Sequence, residues 1–163
     1  MHDETYEQKR RRLFGKVNYL PEYLNTLRRI LKTEVTTNQL LSIVDTDDFL
    51  SRNKSWLCVY KETIPFEDKR ELKEIVHSIT QDENVPYFIW LDQSTNCGLY
   101  MIPNLSAFNW DFKFDDDPNG IIILTRQDGR EEIVLDFYEE DDQNLLDIKL
   151  KIKMELLVSA KTF

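Results

Sequence analysis

Leu146-Asp147-Ile148-Lys149-Leu150-Lys151-Ile152-Lys153-Met154-Glu155-Leu156 alternates apolar and charged residues without a break, and this period of two decides the fold class. All the apolar side chains point one way and all the charges the other, so the segment reads as a long amphipathic strand with one buried face. Its charges also discourage unwanted edge pairing. Immediately upstream, EEIVLDFYEE (131–140) and IIILTR (121–126) are strand-like runs separated by Gln127-Asp128-Gly129, the composition of a hairpin loop. Asn119-Gly120 supplies a turn, of the kind found in Asn-Gly hairpins, into the first of them. Before it, Phe108, Trp110, Phe112 and Phe114 alternate with polar residues, again the period of a strand, and burial tendency makes that aromatic row core in preference to interface.

Further toward the N-terminus, VPYFIWLD (85–92) and GLYMIP (98–103) flank the polar cluster Gln93-Ser94-Thr95-Asn96 and read as an antiparallel pair beside the first hairpin. SWLCVYKE (55–62) is one more short strand. The helices lie before and between these strands. Leu20, Leu24, Leu27 and Leu31 follow helical spacing, with Pro21 in the first turn and Arg28, Arg29 and Lys32 at the negative end of the dipole. Thr37 or Asn38 is read as the cap of a second helix through Leu40, Leu41 and Val44, interrupted at Asp45-Thr46-Asp47-Asp48 and pairing with the first as an αα unit. Leu72, Ile75, Val76 and Ile79 mark a third. The expected class is therefore α+β, with N-terminal helices packed on one face of a mostly antiparallel sheet of about five to seven strands.

At 163 residues and 12% aromatic content the chain fits one hydrophobic core, and no repeat, low-complexity linker or internal boundary is visible. Residues 1–15 are read as a loose basic arm around Lys9-Arg10-Arg11-Arg12, although Glu7 four before Arg11 favours a short surface helix that Gly15 ends. Residues 16–163 form the expected single globular domain. No apolar run suits a signal peptide or a membrane span, which leads to the expectation of a cytoplasmic protein with no membrane partner. Cys58 and Cys97 both fall in strand-like apolar segments, where reduced cysteine packs as a small hydrophobe.

The charge is unevenly distributed. Between Asp111 and Asp147 thirteen Asp and Glu face only Lys113, Arg126 and Arg130, a larger negative surplus than the net −9 of the whole chain. Nucleic acid is a poor ligand for such a surface, and a basic protein a good one. Asp115, Asp116, Asp117, Glu139, Glu140, Asp141 and Asp142 are the expected partner-binding charges, with Tyr138, one step out of phase with Phe137, as an exposed aromatic anchor.

Catalytic signatures are weak. Asp115-Asp116-Asp117-Pro118-Asn119-Gly120 has the opening of an EF-hand calcium loop, but its twelfth position is Arg126 and its flanks read as strands, so no metal is expected there. Asp136 in IVLDF, followed by Asp147-Ile148-Lys149 in the next strand, resembles the core of PD-(D/E)xK nucleases. That resemblance implies two carboxylates holding a divalent metal and a lysine polarising the attacking water. His77 lies beside a buried helical stripe, Cys58 has no histidine near it in sequence, and there is no P-loop, dinucleotide fingerprint or CxxC, so no cofactor is expected. The sequence thus favours a small acidic intracellular protein-binding module of the immunity or antitoxin type, neutralising a basic partner such as a toxin nuclease. A metal-dependent nuclease or phosphodiesterase using Asp136, Asp147 and Lys149 is the alternative.

Overall fold

The computed structural model describes residues 3–155, so the last residue of the alternating segment, Leu156, and the first two of the basic arm lie outside the described residues. Its element order is α1 (Tyr6–Asn18), α2 (Leu20–Ile30), α3 (Ile43–Arg52), β1 (Trp56–Pro65), α4 (Lys69–Ile79), β2 (Tyr87–Trp90), the one-turn helix α5 (Ser94–Cys97), β3 (Tyr100–Ile102), β4 (Ile121–Arg126), β5 (Glu131–Glu140) and β6 (Gln143–Lys153). The fold is α+β. Six strands form one sheet in the order β1-β6-β5-β4-β2-β3, and every neighbouring pair is antiparallel. The alternating segment is therefore not an edge: β6 lies between β1 and β5, and its charges decorate a face. The edges are β1, which carries a bulge between Cys58 and Tyr60 of the kind that blunts edge pairing, and the three-residue β3.

Alternation places Leu146, Ile148, Ile133, Leu135, Ile122, Leu124, Tyr87, Ile89, Tyr100 and Ile102 on one face, where they form the main core with α2 and α4. On α2 the buried stripe is Tyr23, Thr26, Leu27 and Ile30, with Leu20 and Leu24 only half-buried at its margin. Leu72, Ile75 and Val76 supply the buried face of α4, which Asp68 caps by accepting from the Glu71 N–H.

Several local expectations change. Residues 6–15 are not a loose arm. They belong to α1, which a reciprocal capping box between Thr5 and Gln8 opens. Gly15 does not end that helix but lies within it, packed so closely on α5 that a Cβ there would come within 2.3 Å of the Asn96 carbonyl oxygen. The second helix starts at Ile43, capped by Ser42 accepting from the Asp45 N–H, and Thr37–Gln39 is only a 3-10 turn. Its acidic run is not a break, because Asp45 sits in the first turn, where the helix dipole favours a carboxylate. Nor does α3 pair with α2. It covers β2 and β3 on the second face of the sheet, where Phe49 and Phe88 pack edge-on at 4.7 Å beside Leu99.

Residues 108–114 are not a strand either. Phe108, Trp110 and Phe112 are buried as expected, but the segment is an irregular crossover between two 3-10 turns, Leu105–Ala107 and Phe114–Asp116. A row of aromatics from a non-strand segment plugs the core because Phe66, Phe112, Phe114 and Phe137 pack as one cluster of tilted and edge-on rings. Asn119-Gly120 is consequently not a hairpin turn. It delivers the crossover into β4, with Gly120 at φ 71° and its carbonyl accepting from Phe137 N at 2.8 Å. Among the described residues no helix is long and apolar enough to cross a membrane.

Candidate functional site

The turn joining β5 to β6 has two residues, Asp141 and Asp142, between the paired Glu140 and Gln143, and both adopt the left-handed conformation, φ 51° and 62°. Paired positive-φ residues match the twist of a two-residue hairpin, so this tip is set rigidly by the ladders below it. Glu139, Glu140, Asp141 and Asp142 are all exposed there, and none forms an ion pair with another described residue. Phe66 N donates to Asn144 O at 2.9 Å, which brings the link between β1 and α4 alongside. Glu67 on that link joins Glu139 and Asp142 around a shallow cleft of about 460 Å³. The sequence reading missed Glu67; its only signal was its place after the Pro65 that ends a strand.

The 3-10 turn at Phe114–Asp116 reaches the same end of the sheet, since Phe114 packs 5.2 Å from Phe66 and 5.7 Å from Phe137. Asp115 is exposed on it. One cation stands close: Lys69 Nζ lies 3.3 Å over the Phe66 ring and donates to the Phe66 carbonyl at 2.7 Å, and burial lowers its pKa. The other carboxylates of the run are diverted. Asp116 Oδ2 accepts from Lys113 N at 2.7 Å, and its carbonyl accepts from Arg29. Asp117 is not a surface charge at all, being 3% exposed, with Oδ1 accepting from Asn119 N at 3.0 Å and Oδ2 without a partner. Burial raises its carboxyl above the usual range; the Asn119 N–H opposes that rise, nearby Asp92 adds to it, and Arg29 opposes it.

Tyr138 is not an exposed anchor. It is half-buried on the second face of the sheet, and its hydroxyl donates to Asp147 Oδ1 at 3.1 Å, with burial first and this carboxylate second raising the phenol pKa. The register sets Asp136 directly opposite Asp147, with Lys149 two residues along β6 on the same face, so the three residues of the nuclease resemblance do come together. Asp147 is 8% exposed and already accepts from Thr63 Oγ1 at 2.6 Å as well as from Tyr138, a structural brace across β1, β6 and β5. Among the described residues no three His, Cys, Asp or Glu side chains converge on a position for a metal ion, the 115–117 run included.

The remaining chemistry-bearing residues are dispersed. Arg11 donates to the Thr95 carbonyl at 2.9 Å and pairs with Asp47, and Arg12 pairs with Glu4 at 2.7 Å, so half of the basic run secures α1. His77 Nδ1 lies 2.9 Å from Glu83 Oε1 on an exposed surface. Cys58 and Cys97 are free thiols, and burial pushes the second up to about 11. Compared with protein-family models, with curated proteins and with solved structures, the chain has no match in any of the three.

Proposed function

We propose that the chain is a small acidic protein-binding module, of the immunity or antitoxin type, that presents the β5–β6 tip to a basic surface of its partner, such as the substrate cleft of a toxin nuclease. The observation that carries this reading is the set of four consecutive exposed carboxylates, Glu139 to Asp142, free of ion pairs with described residues and held on a two-residue turn. Glu67 and Asp115 extend the same negative pole. A fixed array of one sign focuses the field and speeds encounter with a cationic partner, which matters most for an inhibitor competing with substrate. The test is capture from native lysate at low salt, run side by side with wild type and with E139Q/E140Q/D141N/D142N. Asn suits the left-handed backbone of the turn, so the fold is kept while the charge goes. A basic protein held by the wild type and lost by the variant supports the proposal; equal retention refutes it.

A second reading, a metal-dependent phosphodiesterase or nuclease, draws on the Asp136–Asp147 register with Lys149 beside it. Thr63 and Tyr138 both donate to Asp147 Oδ1, so the ion would have to be held through Oδ2 and Asp136, two carboxylates in all. Thermal stabilisation by Mg²⁺ or Mn²⁺ that D147N abolishes, together with nucleic-acid cleavage, would favour it. Neither effect appearing would remove it.

A further inference from the structure

At the end of the sheet away from the acidic tip, α3 stops short of β4 and β5 and leaves a cavity of about 250 Å³ on the second face. Its walls come from five elements: Phe49 on α3, Trp56 at the start of β1, Trp90 on β2, Ile123 and Thr125 on β4, and Glu132 on β5. Strand alternation explains the set. Trp90 pairs with Ile123, and Thr125 with Glu132, so all four side chains leave the sheet on the face opposite the main core. The helix fills only part of that face, over Phe88 and Leu99, and both tryptophans remain half-buried.

The geometry points to a binding site for a small organic cation of the alkylammonium class, held against Trp56, Trp90 and Phe49 with the Glu132 carboxylate as its counter-ion. Among the described residues, Glu132 is the one charged group lining the cavity. Oε2 accepts from Thr125 Oγ1 at 3.1 Å, and no described lysine or arginine forms an ion pair with it, although Lys151 is its neighbour across the β5–β6 ladder. Burial raises the pKa of this carboxyl, against the Thr125 hydrogen bond and the Lys151 charge. An aromatic-walled recess with one under-compensated carboxylate is complementary to a weakly hydrated cation, which gains from the ring faces and from the carboxylate together. The cavity holds the volume of roughly eight waters, enough for a choline-sized ligand. An anionic ligand would meet Glu132, and a neutral apolar one would leave that carboxylate desolvated without recompense.

The test titrates the full chain with choline and, separately, with its neutral tert-butyl analogue at low ionic strength, by calorimetry and by the indole N–H resonances in NMR. The expected result is saturable choline binding that shifts the Trp56 and Trp90 signals and spares buried Trp110, with at least tenfold weaker binding of the neutral analogue. E132Q keeps the Thr125 hydrogen bond and relieves a buried charge, so it folds; choline affinity should fall at least tenfold in it. W90F, which keeps a ring, should weaken binding less than E132Q. No saturable binding, equal affinity for the neutral analogue, unchanged affinity in E132Q, or shifts confined to Trp110 would each overturn the proposal.

Discussion

Replacing Gly15 with alanine separates a docked α1 from a loose basic arm, because the two arrangements demand opposite signs. On an isolated or undocked helix, Gly→Ala in the interior is stabilising by about 1 kcal/mol. In the fold, the new methyl would lie 2.3 Å from Asn96 O and 2.9 Å from Asn96 C, both backbone atoms of α5. A carbon and a carbonyl oxygen need roughly 3.3 Å, so α1 must retreat by about 1 Å. Overpacking of this kind costs about 1–3 kcal/mol, and the upper half of that range applies where the obstacle is a main-chain carbonyl. The net expectation is a loss of about 1–2 kcal/mol, which for a chain of this length lowers Tm by about 2–8 °C. Thermal unfolding by circular dichroism reads the size of the loss. Limited trypsinolysis reads its place, because cleavage within Lys9–Arg12 should accelerate as Arg11 loosens from Asp47 and Thr95. A G15A protein as stable as the wild type or more so, with an unchanged cleavage rate, would refute the docked arrangement of α1.

Other perturbations probe the core and its buried polar groups. Ile148 is fully buried at the middle of β6, between two hydrogen-bonded neighbours, so I148A should lower unfolding free energy in urea by about 2–5 kcal/mol. In T46V the buried Leu99 N–H loses the hydroxyl that accepts from it at 3.1 Å, and a loss of about 1–3 kcal/mol is expected by the same assay. Tyr23 OH donates to Gly98 O at 2.6 Å and lies 3.0 Å from Ser94 Oγ, which ties α2 to α5; Y23F should therefore lose a similar amount and speed amide exchange at Gly98. Asp117 binds its proton more tightly folded than unfolded, so its contribution is fully present below the ordinary Asp value and is lost as pH rises through the raised folded one. Urea titrations should show D117N gaining on the wild type between pH 4 and pH 7; a difference independent of pH would contradict the burial of that carboxylate.

The placement of the candidate residues was partly legible locally. The acid-rich turn at 139–142 stands at the junction of two alternating segments, and alternation alone puts Asp136, Asp147 and Lys149 on one face of adjacent strands. What misled was context. Asp117 has the same local appearance as Asp115, yet one is buried and the other exposed, because the crossover turns Asp117 toward Tyr23 and Thr26 of α2 and toward Leu91 and Asp92 after β2. Tyr138 looked free because its partner Asp147 becomes its neighbour only through the β5–β6 register.

The aromatic row at 108–114 has the period of a strand, but a period records which side chains face the core and not whether the backbone finds a ladder partner. β4 is already paired on both sides, by β5 and β2, and the row fills a core gap without one. Gly15 carried the local signal of a helix end; only the approach of α5 turned it into a packing contact. Side-chain periodicity and composition suffice for the class, for the strands from 121 to 153 and for the sign of their charge. The tertiary structure alone decided the position of β6 inside the sheet, the docking of α1, the division of α2 and α3 between the two faces and the recess between Trp56 and Trp90. Each of those depends on surfaces far apart in the chain meeting, and no local pattern encodes which distant surface will be there.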